Sequence, residues 1–79
     1  MKLKILYRKR LCMSPGKVAA QAVHAALRMP KGGDTLPVVV LGVSDKKFEQ
    51  QKNHAEVIIA DAGLTEVAPG TETCLAFYE

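Results

Sequence analysis

Apolar residues in this chain come in short blocks divided by polar, glycine- or proline-containing stretches. Lys2, Leu3, Lys4 and Ile5 alternate basic and apolar, and Leu6 and Tyr7 extend the run, which predicts a first strand over Lys2–Tyr7. From Pro15 the pattern becomes helical. Ser14 suits an N-cap, Pro15 suits the first helical position, and Pro30 stops the helix. Lys31-Gly32-Gly33-Asp34 reads as a flexible connection. Pro37 opens a second strand through Val43, and its Val-Val-Val-Leu run predicts burial on both faces. Ser44 caps a second helix from Asp45 to about Lys52, with Phe48 as its apolar anchor. Val57–Ala60 and Thr73–Tyr78 are two further strands, separated by turns at Ala62-Gly63 and Ala68-Pro69-Gly70. The order β-α-β-α-β-β predicts a single-domain α/β sandwich, residues 1–79, with a mixed sheet.

One polar row interrupts the first helix. Lys17, Gln21, His24 and Arg28 are spaced by four, three and four residues. At roughly 100° per residue, all four fall within about 40° of Lys17. Val18, Ala19, Ala22, Val23, Ala26 and Leu27 spread over the rest, so the helix is expected to be embedded on most sides. Such a row is by default a solvent face. Two details point instead to an anion-facing site wall: the row holds no acid, and Lys17 sits in the first turn, where the helix dipole disfavours a cation.

Composition narrows the classes. A chain of 79 residues without Trp and with four aromatics builds a thin, aliphatic core that a partner subunit would help to stabilise. A homodimer is therefore compatible with the sequence. Cys12 and Cys74 make no disulfide framework and read as free thiols, Cys74 buried in a strand and Cys12 more exposed. No CxxC occurs and His24 and His54 are thirty residues apart, so no metal is expected. His54 adjoins a helix end and reads as a surface or capping residue. No signal peptide or membrane-spanning run is visible, and a cytoplasmic location is expected. Net charge is only +3, but it is segregated: residues 1–33 carry eight Lys and Arg and no acid, and all eight acids follow. That arrangement can steer a polyanion.

The second informative stretch is Asp61–Phe77. Asp61 ends an apolar strand, where ligand groups collect in α/β folds. Thr65, Thr71 and Thr73 flank the turns. Taken alone, these are ordinary turn and strand residues.

Together the two stretches resemble the type-2 peptidyl-tRNA hydrolases. The resemblance rests on Met13, Gly16-Lys17, Ala19-Ala20-Gln21 and His24-Ala25-Ala26, and on Asp61-Ala62-Gly63, Thr65, Ala68-Pro69-Gly70-Thr71 and Thr73. It implies a mixed four-stranded sheet flanked by helices. It also implies a cofactor-independent esterase that cuts the bond between a peptide and the terminal ribose of tRNA. Carried over residue by residue, it places Lys17, Asp61 and Thr73 at the site with Thr65 nearby, and Gln21 and His24 in support. Asp61 would orient or deprotonate water, Lys17 would stabilise negative charge, and the threonines would position water or ribose. A close Lys17 would lower the pKa of Asp61 and make it a weak base. Arg8, Arg10 and Arg28 are candidate contacts to tRNA phosphates.

The chain departs from the family pattern in several places. Only Met29–Leu36 lies between the first helix and the second strand, where family members usually carry more, and the chain stops at Glu79 where they usually continue into a helix. A common Arg-x-Asp-Leu is here Arg8-Lys9-Arg10-Leu11, and a frequent lysine is Pro15. Ala76 and Phe77 replace glycines. These departures leave two alternatives open: a noncatalytic tRNA- or RNA-binding module, or a small interaction protein on the same scaffold.

Overall fold

A computed structural model describes residues 1–30, 36–63 and 66–79. The expected connection at Lys31–Asp34 and the candidate Thr65 lie outside the described residues. The strands are β1 (Leu3–Arg8), β2 (Val38–Val43), β3 (Val57–Ala60) and β4 (Glu72–Tyr78), and the helices are α1 (Pro15–Arg28) and α2 (Asp45–Gln51). Short 3-10 turns follow β1 at Lys9–Leu11 and α2 at Lys52–His54.

The sheet order is β2-β1-β4-β3. β1 pairs parallel with β2 and antiparallel with β4, and β4 pairs antiparallel with β3. The sheet is therefore mixed and four-stranded, as the element order implies. β1, β2 and β3 all run the same way, so their carboxyl ends share one rim.

Strand alternation sorts the core into two layers. Leu3, Ile5, Ile59, Cys74 and Ala76 face α1, where they meet Ala25 and Met29. Leu6, Leu75 and Phe77 face α2 and close around Phe48. Phe48 is the anchor of a helix of only seven residues, and its full burial contributes about 1.5–3 kcal/mol. Both helices begin as their sequences predict: the Ser14 hydroxyl accepts from the Lys17 N–H at 3.3 Å, and the Ser44 hydroxyl from the Lys47 N–H at 3.1 Å.

Two expectations about burial are corrected. β2 is an edge strand rather than a strand buried on both faces; Val38 is 56% exposed, and Val40 and Leu41 are also exposed. Its β-branched run favours extended backbone whether or not anything covers it. Nor is α1 embedded on most sides. It lies over β1, β4 and β3, so its apolar arc is divided: Ala25 is buried, whereas Val23 is exposed and Leu27 is 78% exposed. Small alanines on the buried side allow the close approach. Among the described residues, no helix is long and apolar enough to cross a membrane.

Candidate active site

Asp61 follows β3 at the shared rim, immediately beyond a register shift between Ile59 and Ala60. Its backbone is tied on both sides: the Asp61 N–H donates to Thr71 O at 2.9 Å, and the Gly70 N–H donates to Asp61 O at 2.7 Å. Gly63 turns the chain with φ of +81°, and a Cβ there would stand 2.5 Å from Pro69 Cγ. The turn aims the Gly63 N–H at Asp61 Oδ2, 2.7 Å away.

The other wall comes from α1. Lys17 Nζ lies 2.7 Å from Asp61 Oδ1, with side-chain exposures of 10% and 7% for the pair. Gln21 Nε2 donates to the same oxygen at 2.7 Å. Gln21 is itself 3% exposed, so this member of the polar row packs inward against the sheet. Behind it the fully buried Thr73 hydroxyl donates to Gln21 Oε1 at 3.2 Å, with Ile59 O at 3.4 Å as its alternative acceptor. Lys17, the Gly63 N–H and Gln21 hold the Asp61 carboxyl below the usual carboxylate range, with the Lys17 hydrogen bond dominant and burial opposing it.

A cavity of about 640 Å³ opens beside this pair, lined by Ser14, Lys17, Gln21, His24, Arg28, Asp61 and Glu66 among others. The sequence-predicted row Lys17, Gln21, His24 and Arg28 thus forms one wall. Thr73 is not on that wall and reaches the site through Gln21. Arg8 and Arg10 are on neither wall. Arg8 lies at the α2 side of the sheet, over Phe48, and its Nε and Nη2 bind the two oxygens of Asp45 at 3.0 and 3.3 Å. Arg10 Nε reaches Asp45 Oδ2 at 2.6 Å.

Sequence reasoning missed Glu66. Its carboxylate accepts from the Ser14 N–H at 2.7 Å and from the Ser14 hydroxyl at 2.6 Å, which joins the loop after β3 to the start of α1. Ser14 holds the Glu66 carboxyl below its ordinary range. Glu66 adopts φ of 60°, a left-handed conformation rare for this residue type, and nothing in the local pattern signals it. Among the Lys, Arg, Asp and Glu that line the cleft, Lys17 and Arg28 are matched by Asp61 and Glu66, so the cleft is polar rather than strongly positive. Among the described residues, no three of His, Cys, Asp and Glu gather as a metal would need. Cys74 donates its thiol to Gln21 O at 3.3 Å, and burial pushes its pKa up to about 11. Buried and protonated, it is a packing residue rather than a nucleophile.

Fold and site define a small mixed-sheet α/β protein with a lysine–carboxylate pair in a cleft at the strand ends. No family model matches the chain. Comparison with curated proteins finds a peptidyl-tRNA hydrolase of Haloquadratum walsbyi at 37% identity, covering 96% of this chain and 83% of the relative. A peptidyl-tRNA hydrolase of Thermococcus onnurineus is 37% identical over 91% of this chain and 78% of its own, and one of Thermoplasma volcanium is 33% identical over 95% and 81%. The chain belongs to the peptidyl-tRNA hydrolase family, and its paired motifs fit a shortened type-2 member. The Haloquadratum alignment spans 93 positions, more than the 79 residues here, so that relative carries internal residues that this chain lacks.

Proposed function

We propose that the protein hydrolyses the ester bond of peptidyl-tRNA in the cytoplasm, releasing free tRNA and peptide. The Lys17–Asp61 pair, set in a cleft by Gln21 and Gly63, carries this reading. A carboxylate offers about four acceptor positions. Among the described residues Lys17, Gln21 and Gly63 take three of them, and a water can use the fourth. Asp61 is a weak base at its lowered pKa, so its main work is to hold that water in line with the ester carbonyl. Attack forms a tetrahedral oxyanion, and the Lys17 ammonium stabilises it in a site largely shielded from solvent. Collapse expels the ribose oxygen, which takes up the proton given up by the attacking water. Gln21 fixes Asp61, Thr73 fixes Gln21, and His24 and Arg28 extend the cleft wall. The role expected of Thr65 stands within this proposal.

The test is release of tRNA from a purified peptidyl-tRNA. Lys17→Ala and Asp61→Ala are each expected to lower kcat by at least about 100-fold, the range seen when one group stabilising the transition state is removed. A folded wild-type protein that binds tRNA but never releases it would instead support a binding module. The exposed Val23, Leu27, Val38 and Val40 also support self-association. Sedimentation that shows only monomer at micromolar concentration would exclude a homodimer.

A further inference from the structure

The balanced charge of the cleft leaves open what draws and holds the rest of a large polyanion. The strand-end rim offers an answer on its other side. Asp45, the first residue of α2, is chelated through both oxygens by Arg8, so its charge is already compensated when Arg10 adds a third bond. Arg10 remains 75% exposed. Lys46 and Lys47 follow Asp45 in the same turn, both exposed, and neither forms an ion pair with a described residue. Lys9 is also exposed, its stem packed over Gly42 at the neighbouring end of β2. The nearby acids do not cancel this charge. Glu49 and Glu72 share Lys52, which leaves one negative charge against Lys9, Arg10, Lys46 and Lys47, and Glu66 belongs to the cleft, where it already faces Lys17 and Arg28.

Resting on the reading of the cleft as a peptidyl-tRNA site, we infer that Arg10, Lys46 and Lys47 form a second, noncatalytic contact for the sugar–phosphate backbone of the substrate. The geometry suits one continuous RNA. β1, which leads to Arg10, and β3, which leads to Asp61, are two strand spacings apart in the sheet, about 10 Å. An acceptor arm whose terminal ester lies at Asp61 crosses that rim and meets the patch a few nucleotides further on. Among the described residues, the opposite exit, along α1, offers Arg28 as its one Lys or Arg beyond Lys17. Contacts of this kind position the substrate without reading its bases.

The experiment compares wild type, Lys46→Glu/Lys47→Glu and Arg28→Glu on full-length peptidyl-tRNA and on a peptidyl ester of a short oligonucleotide that ends in the same nucleotides. Glutamate in the first turn of α2 agrees with the helix dipole, so the double variant is expected to fold. With full-length tRNA its KM should rise about tenfold or more while kcat holds, and the slope of log KM against log salt should flatten by about two units. With the short ester, wild type and double variant should coincide. Unchanged KM on full-length tRNA, or an equal rise on both substrates, would overturn the inference, as would a larger effect from Arg28→Glu than from the double variant. Failure of the wild type to hydrolyse either substrate would refute the hydrolase reading; salt-dependent tRNA binding by the same variants would then decide the patch separately.

Discussion

Thr73→Val separates two ways in which a buried hydroxyl can serve this site. Thr73 is fully buried, and its one hydroxyl proton goes to Gln21 Oε1 at 3.2 Å or to Ile59 O at 3.4 Å. Valine keeps the shape and removes the donor. Gln21 Oε1 is then buried without a described partner, at a cost of about 1–3 kcal/mol. In a domain of this size, each kcal/mol shifts Tm by about 4–8 °C. The freed Gln21 amide also loses its fixed orientation toward Asp61, so kcat should fall by about tenfold while KM stays constant. Thr73→Ser keeps the hydroxyl and loses a methyl group. It should lose about 1 kcal/mol of stability and retain kcat within about twofold. The assays are urea melts and single-turnover hydrolysis of peptidyl-tRNA. A double-mutant cycle with Gln21→Leu should be non-additive in kcat, because both changes break the same chain of contacts. Wild-type kcat in Thr73→Val, or simple additivity with Gln21→Leu, would refute the claim that Thr73 acts through Gln21.

Other outcomes follow from the same contacts. Asp45, Asp61, Glu66 and Glu79 are all held below their ordinary values by cationic or hydroxyl partners. The unfolded chain then binds more protons than the folded one in acid, so the contribution of these carboxylates should be complete above about pH 5 and be lost as pH drops through 4 and below, as read by urea midpoints across pH. Cys74 has the opposite sense, since its pKa is pushed up to about 11 from 9.0. Its contribution is complete below pH 9 and is lost between pH 9 and 11, and Cys74→Ala should remove that alkaline limb. Gly63→Ala places a side chain at φ of +81° against Pro69, so it should cost at least about 1–2 kcal/mol and lower kcat by disturbing the N–H that holds Asp61. A thiol titration of the native protein should find Cys12 reactive and Cys74 silent until denaturant is added.

The elements themselves were legible because their signals are local. Ser14-Pro15 opens α1, Pro30 closes it, and the Val57–Ala60 strand falls on its predicted residues. Lys17 and Asp61 were named through paired motifs 44 residues apart, and the structure joins them at 2.7 Å. What was not legible depends on which surface covers which. The valines of β2 look the same in sequence whether buried or at an edge. Leu27 belongs to the apolar arc yet faces solvent, whereas the polar Gln21 is buried because Asp61 and Thr73 satisfy its amide. The Arg8–Asp45–Arg10 cluster and the Glu66–Ser14 clamp join residues with no shared periodicity, so no window of sequence contains them.

The central pairing of β1 with β4 bears on when the protein can form. β1 is made before β4, and Lys2 and Glu79 exchange backbone hydrogen bonds at 2.9 Å. While the chain is being synthesised, β1 has β2 as its only lasting neighbour, and β3 has none until β4 emerges. Lys17 and Asp61 are therefore held together only once β4 has left the ribosome. Loop closure on this scale slows folding. Until β4 is in place, a nascent copy carries an open sheet and no Lys17–Asp61 pair.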